Sequence, residues 1–172
     1  MAGGIGSRFW PMSRTSQPKQ FLDILGTGET LIQQTYRRLK RICPEENIYI
    51  VTNDMYKDLI NEQLKGITDE QIICEPSRKN TAPCIAYANH KIALKNPNAN
   101  IVVAPADHLI LKEEEFVRVI NLALSYTEKD DCLVTLGITP SRPDTGYGYI
   151  QFDSNHSSIN DEIKKVKTFT EK

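Results

Sequence analysis

The first residues of the chain have the types and spacing that a phosphate-binding loop requires. Glycine lets successive backbone N–H groups converge on an anion because no Cβ blocks the approach, and nearby cations add charge. The candidate phosphate ligands are Ala2, Gly3, Gly4, Gly6, Ser7, Arg8 and, after two prolines, Lys19. The loop lacks the G-K-[ST] of a P-loop, and Phe9 stands where a dinucleotide-binding loop has its third glycine. A glycine-rich turn without a ligand, followed by a solvated basic stretch, is therefore the alternative.

A second group of polar residues follows a short apolar run at 71–74. Glu75 ends this predicted strand, and Asn80 and Thr81 begin a predicted helix. Open α/β sheets bind ligands at the carboxyl edge of their strands, where polar side chains and free N–H groups meet. A carboxylate or a backbone carbonyl at this edge can accept the N1–H and the exocyclic amine of guanine, a pattern that adenine does not present. Helix capping by Asn80 or Thr81 is expected as part of their role, and as their whole role in the alternative interpretation.

A carboxylate follows the next predicted strand, Asn100–Ala104, in the same way. Asp107 comes after Pro105, at what would be the carboxyl edge of the sheet. Mg²⁺ prefers one or two protein carboxylates together with phosphate oxygens and water, so Asp107 is the candidate metal ligand. The alternative is a loop aspartate that caps the following turn.

Flexible backbone and aromatic rings alternate from Gly146 to Tyr149. A tyrosine face suits the C–H patches of a sugar ring, and its hydroxyl suits the polar rim. Gly146 and Tyr147 are therefore candidate sugar-binding residues, unless they form an ordinary hairpin edge. At the end of the chain, Glu171 can accept hydrogen bonds from sugar hydroxyls and Lys172 can neutralise a sugar phosphate, or both can be solvated.

Short apolar runs alternate with amphipathic stretches along the chain, which predicts an α/β fold. We expect a Rossmann-like, mostly parallel mixed sheet with helices on both faces and an antiparallel excursion near residues 146–170. The predicted helices have apolar residues at helical spacing between Leu31 and Ile42, Ile85 and Ile92, and Phe116 and Leu124. The predicted strands of the main sheet are Ile48–Thr52, Gln71–Cys74, Asn100–Ala104 and Cys132–Ile138.

Composition excludes several classes of protein. The 172 residues are 40% hydrophobic and 25% charged, as in a globular domain. Twenty-one basic residues against 22 acidic ones leave a net charge of −1, so neither nucleic acid nor a membrane surface is an expected partner. Four widely spaced cysteines without a C-x-x-C pair, no long apolar run and no signal-peptide pattern predict a cytoplasmic protein with reduced thiols.

The motifs together resemble those of the sugar-1-phosphate nucleotidyltransferases. The glycine loop matches the family's G-x-G-x-R signature at Gly4, Gly6 and Arg8, and Pro18-Lys19 matches its Pro-Lys pair. Further segments narrow the resemblance to the mannose-1-phosphate guanylyltransferases of that family: Glu75–Pro83, Pro105–His108, Pro143–Tyr149 and Phe169–Lys172.

This resemblance implies a nucleotidyltransferase that joins GTP and mannose 1-phosphate into GDP-mannose and pyrophosphate. It implies that Arg8, Lys19 and Asp107 are catalytic and that the segment from Glu75 through Arg78 to Thr81 surrounds guanine and ribose. It also implies that Mg²⁺ is the cofactor and that a second aspartate ligand comes from a later part of the family's catalytic domain. A homodimer is compatible with the resemblance.

The sequence departs from the family in its extent. The family's strand before the glycine loop, the rest of its catalytic domain and its C-terminal β-helical region are not among residues 1–172. We therefore expect an N-terminal part of a catalytic domain that is marginally stable and inactive by itself. Use of another nucleotide or sugar phosphate, or a non-catalytic sensor of GDP-mannose, are the alternative functions.

Overall fold

The computed structural model describes residues 1–6, 9–77, 79–153 and 162–170. The chain folds as two compact units, Met1–Cys132 and Leu133–Lys172. Within the described residues, no helix combines the length and the apolar character needed to cross a membrane.

The first unit is built around a pair of parallel strands. Strand β1, Ile50–Thr52, pairs with β2, Ile72–Cys74, so that the two strands end side by side at Thr52 and Cys74. Both strands confirm the predictions from the apolar runs, although each begins slightly later than predicted. Because successive side chains of a strand point to opposite faces, each strand contributes to two separate cores.

Within the described residues, the first unit contains the α-helices α1, Leu31–Leu39; α2, Lys57–Gln63; α3, Thr81–Ala93; and α4, Glu113–Thr127. Helices α1, α3 and α4 confirm the helical spacing found in the sequence. Helix α2 was not predicted. In α4, Ile120 is the buried centre of the predicted apolar face, and Glu113 at the first turn pairs with Arg37 and Arg38 of α1.

The two faces of the strand pair carry different helices. Ile50 and Ile72 pack into one core with side chains from α1 and α2. Val51 and Ile73 pack on the opposite face with Cys84 of α3. The prediction of helices on both faces is therefore confirmed for this pair of strands.

Two predicted strands are absent although both segments are described. Residues 100–104 and 132–138 form no strand. The first segment borders an apolar cavity of about 590 Å³, whose other walls are residues 48–51 and side chains of α1 and α3. Backbone pairing occurs only at its end, where Ala104 O accepts from the Met1 amine at 2.9 Å. An apolar run becomes a strand only when a neighbouring backbone pairs along its length, so the prediction was wrong here.

The second unit contains an antiparallel hairpin. Strand β3, Tyr149–Phe152, pairs with β4, Val166–Thr170, with a register shift near Phe152. This confirms the predicted antiparallel excursion, although both strands begin later than residues 146 and 162. The predicted polar turn between the strands lies outside the described residues. Every residue of β4 is exposed, so backbone pairing rather than a buried face holds the hairpin together.

Candidate functional site

The start of the chain is held against the carboxyl end of β1. The Ala2 N–H donates to Val51 O at 2.7 Å, and Thr52 Oγ1 donates to Ala2 O at 3.3 Å. Gln20 adds a second restraint, because its Nε2 donates to both Ala2 O and Gly4 O at 2.9 Å. The Gln20 side chain is buried, so water does not compete for these bonds. The glycine loop is therefore held by its carbonyls, which leaves N–H groups of the loop available to a ligand.

Gly6 is the tightest point of the loop. Its φ is +63°, a left-handed conformation that favours glycine. A Cβ at this position would lie 2.2 Å from Ser13 Oγ and 3.1 Å from the Lys19 backbone nitrogen. Both the backbone conformation and the lack of space therefore require glycine, and the close contact places the loop directly against Lys19.

Lys19 forms an ion pair with Asp107. The residue begins a short 3₁₀ turn, Lys19–Phe21, directly after the buried Pro18. Its Nζ lies 2.8 Å from Asp107 Oδ2, and the two side chains are 29% and 32% exposed. The same ammonium lies 5.9 Å from the centre of the Phe9 ring. The structure thus brings together the predicted phosphate ligand and the predicted metal ligand, which are far apart in the sequence.

Glu75 lies at the same edge of the strand pair. Its N–H donates to Thr52 O at 2.8 Å, which continues the pairing of the strands by one residue. A Cβ on Gly3 would lie 3.3 Å from Glu75 Oε2, so this carboxylate packs against the glycine loop. Burial, together with the nearby negative charge of Glu75, raises the pKa of the Cys84 thiol on α3. Cys84 is therefore a neutral packing residue rather than a nucleophile.

The predicted capping of α3 by a side chain was wrong. Asn80 occupies the N-cap position, but its side chain makes no capping hydrogen bond. Its φ of +69° differs from the extended backbone that normally aims a capping side chain at the first turn. Thr81 is the first residue of the helix, and both side chains are exposed. Helix capping by a side chain therefore does not explain the presence of Asn80 and Thr81 at the start of α3.

The remaining predicted site residues fall into two groups. Ser7, Arg8, Arg78, Glu171 and Lys172 lie outside the described residues. Gly146 and Tyr147 belong to the second unit. There, the Gly146 N–H donates to Asp144 Oδ1 at 2.8 Å, and Tyr147 is 70% exposed. A ring exposed to this extent is free to contact a sugar.

Sequence analysis missed two residues that shape the site. Gln20 directly follows the Pro18-Lys19 pair, and its side chain holds two carbonyls of the glycine loop. Ser13 is buried against Gly6, and its Oγ donates to Ile5 O at 3.4 Å. The one available signal was that both are uncharged polar residues close to a predicted phosphate loop. Nothing in their spacing indicated burial.

Asp107 supplies one hard oxygen donor for a metal. Among the residues that the structure describes, no group of three or more His, Cys, Asp or Glu side chains could hold an ion without other ligands. One partly exposed carboxylate fits Mg²⁺, because this ion commonly takes its other ligands from phosphate oxygens and water.

Comparison with known proteins shows the family to which the chain belongs. A family model described as nucleotidyl transferase matches residues 1–172. The chain is 39% identical to a mannose-1-phosphate guanylyltransferase of Escherichia coli over 178 residues, which cover all of this chain and 38% of the relative. It is 36% identical to the alginate biosynthesis protein AlgA of Pseudomonas aeruginosa over 174 residues, covering all of this chain and 35% of that protein.

A solved structure is similar over the whole chain. It is described as a mannose-1-phosphate geranyltransferase from Thermus thermophilus, with a TM-score of 0.86 and 31% identity. The match covers 100% of this chain and 48% of that one. The chain therefore spans between about a third and a half of the length of the proteins it matches.

Proposed function

The chain belongs to the nucleotidyl transferase family, and on that basis we propose that the protein containing it transfers GMP from GTP to mannose 1-phosphate. The products are GDP-mannose and pyrophosphate. The observation that carries the proposal is the glycine loop, which Gln20 holds by its carbonyls and which packs against Lys19 at Gly6. This arrangement places the backbone of a glycine loop next to a residue that carries a cation, and binding of a triphosphate uses both. The name of the relative supports a guanine nucleotide as one substrate and mannose 1-phosphate as the other.

The loop and its cations bind the phosphates of GTP. The backbone N–H groups from Gly3 to Ser7 donate to phosphate oxygens, and Arg8 and Lys19 neutralise their charge. Because Gly6 and Gln20 already hold the loop in place, little conformational entropy is lost when the ligand binds. Preorganised donors of this kind also stabilise the charge that develops in the transition state.

The reaction is an in-line displacement at the α-phosphorus. A phosphate oxygen of mannose 1-phosphate forms the new P–O bond while the bond to the β-phosphate bridging oxygen breaks, and pyrophosphate leaves with that electron pair. The attacking oxygen is already anionic, so no general base is needed. Catalysis rests on positioning and on charge neutralisation. When Mg²⁺ is bound, it supplies further positive charge to the phosphates, and Asp107 is the residue that would hold it.

Substrate selection is assigned to two further groups of residues. Glu75, Arg78, Asn80 and Thr81 surround the base and ribose, with Glu75 as an acceptor for the two guanine donors. Gly146, Tyr147, Glu171 and Lys172 bind the sugar phosphate. The lack of capping bonds at Asn80 supports the first assignment, because its side chain is available to a ligand.

A turnover assay on the intact protein tests the proposal. The protein is incubated with Mg²⁺, mannose 1-phosphate and each of GTP, ATP, UTP, CTP and dTTP, and both pyrophosphate and the nucleotide sugar are measured. We expect GTP to be the preferred substrate and GDP-mannose to be the product. Equal use of ATP and GTP would contradict the assignment of guanine as the base. Preference for another sugar phosphate would contradict the assignment of mannose 1-phosphate as the acceptor substrate. Binding of GDP-mannose without any pyrophosphate formation would indicate a sensor instead of an enzyme.

A further inference from the structure

The ion pair between Lys19 and Asp107 joins two residues that the proposed function assigns to different ligands. Lys19 is assigned to the phosphates of the nucleotide and Asp107 to a divalent cation. Lys19 Nζ lies 2.8 Å from Asp107 Oδ2, so the ammonium occupies one of the two oxygens of the carboxylate that the metal would use. An ammonium and a divalent cation compete for the negative charge of one carboxylate, and two cations bound to the same carboxylate repel each other.

We propose that Lys19 is a resident counter-cation of Asp107, which a divalent cation must displace, and that a nucleoside triphosphate promotes this exchange by drawing Lys19 away. The inference rests on the proposed function, since it takes the triphosphate as the ligand of Lys19. It assigns Lys19 a second role as a positioning residue that controls access of the metal to Asp107.

The surroundings of Lys19 allow its side chain to move while its backbone stays in place. Pro18 is buried on one side, and the Lys19 backbone nitrogen lies in close contact with Gly6. The ammonium, in contrast, is on a flexible four-carbon stem, and the side chain as a whole is 29% exposed. The Phe9 ring, 5.9 Å from Nζ, offers a second favourable contact beside the pair. Exchange of partners therefore requires side-chain rotation only.

The exchange couples two binding equilibria. A triphosphate carries several negative charges, so it competes strongly with one carboxylate for the ammonium. Once Lys19 has turned to the phosphates, Asp107 is free to bind the metal. By thermodynamic linkage, metal and triphosphate must then increase each other's affinity by the same factor. For a partly exposed ion pair, the contribution of the exchange is about two- to fivefold in binding.

Binding of Mn²⁺ to the intact protein, measured by electron paramagnetic resonance of the free ion, tests the inference without turnover. In the absence of nucleotide, Lys19→Gln is expected to bind Mn²⁺ about two- to fivefold more tightly than the wild type. Lys19→Arg retains a cation beside Asp107 and is expected to keep the wild-type affinity. Adding α,β-methylene-GTP is expected to increase Mn²⁺ affinity in the wild type by a larger factor than in Lys19→Gln.

Three controls make the result decisive. Lys57→Gln removes a similar pair, Lys57 with Asp69 at 2.9 Å, and is expected to leave Mn²⁺ binding unchanged. Asp107→Asn is expected to weaken Mn²⁺ binding in both the wild-type and the Lys19→Gln backgrounds. Lys19→Met carries the same prediction as Lys19→Gln, and circular dichroism shows which variants are folded.

Equal or weaker Mn²⁺ binding in a folded Lys19→Gln or Lys19→Met variant would overturn the inference. Tighter binding that persists after Asp107→Asn would also overturn it, because the competition would then be for another site. These outcomes are separate from failure of the proposed function, which would show as absence of GDP-mannose synthesis by the wild-type protein. Mn²⁺ binding without nucleotide can be measured in either case.

Discussion

The first unit contains two glycine turns whose backbones are alike at one position but whose surroundings differ. Gly6 has a φ of +63° and Gly26 a φ of +66°. A Cβ on Gly6 would lie 2.2 Å from Ser13 Oγ, whereas a Cβ on Gly26 would have no atom within 4 Å. Glycine is therefore required at Gly6 both by conformation and by packing, and at Gly26 by conformation alone.

The two turns also differ in how they are held. The loop at Gly6 is held by the buried amide of Gln20, which donates to the carbonyls of Ala2 and Gly4. The turn at Gly26 is held by the exposed carboxylate of Asp23, which accepts from the N–H groups of Thr27 and Gly28. The first arrangement leaves loop donors free for an anion, and the second consumes donors of its own turn. Similar glycine patterns therefore differ in function according to which backbone groups remain available.

The largest effect is expected from Gly6→Ala. The methyl group would push the loop away from Ser13 and Lys19, and displacements of about 1 Å can lower turnover by about 10²-fold. Gly26→Ala is the matched control, because it carries the same left-handed strain of about 1–2 kcal/mol without a clash. Steady-state turnover and denaturant unfolding of both variants measure the difference. Equal loss of turnover in the two variants would abolish the distinction between the turns.

Lys19→Ala is expected to lower kcat by about 10²-fold, the scale of removing one preorganised electrostatic group. Arg8→Ala is expected to have a similar effect. Lys57→Ala, which removes a cation paired with Asp69 on the surface, should leave kcat unchanged. Wild-type turnover in folded Lys19→Ala would show that the contact between the glycine loop and Lys19 has no catalytic role.

Gln20→Leu is expected to weaken nucleotide binding about tenfold and to lower the free energy of unfolding by about 1–3 kcal/mol, since two carbonyls lose a donor. Gln71→Leu is the matched control. The buried Gln71 Nε2 likewise donates to two carbonyls, Glu45 O at 2.7 Å and Ile48 O at 3.0 Å, but away from the glycine loop. Both variants should lose stability, and only Gln20→Leu should lose affinity in a GTP titration. An equal change of affinity would mean that Gln20 acts through stability alone.

The smallest effect is expected from Asp23→Asn, and it depends on pH. Hydrogen bonds from the Gly28 and Thr27 N–H groups lower the pKa of Asp23 below its ordinary value. The ionised carboxylate therefore stabilises the folded state above its unfolded pKa of about 3.9, and this contribution is lost as the pH falls through the lower folded pKa. Urea midpoints between pH 7 and pH 2 should decline less steeply in the variant, with turnover at pH 7 unchanged. Loss of turnover would place this turn in the active site as well.

The predictions that succeeded concern local patterns. Strands β1 and β2 and helices α1, α3 and α4 follow from apolar spacing that is visible within each segment. The segment 100–104 has an equally apolar sequence but forms no strand, because its backbone has a hydrogen-bond partner only near Met1. The prediction of capping by Asn80 was wrong for a related reason, since its backbone has a positive φ instead of the extended conformation of an ordinary N-cap, and its side chain makes no capping hydrogen bond. Pairing and backbone conformation depend on neighbours that a local pattern does not contain.

The sequence by itself determined the chemistry available to this protein: a glycine loop, cations after it, and carboxylates at Glu75 and Asp107 where strands were expected to end. Residue types and their order carry that information, because they specify charge, hydrogen-bonding groups and backbone freedom. Only the tertiary structure decided that Gly6 has no room for a Cβ while Gly26 has. It also decided that the buried Gln20 side chain donates a hydrogen bond to the glycine loop and that Lys19 forms an ion pair with Asp107. Each of these depends on distances between residues separated in the chain, which are set when the strands, helices and loops pack together.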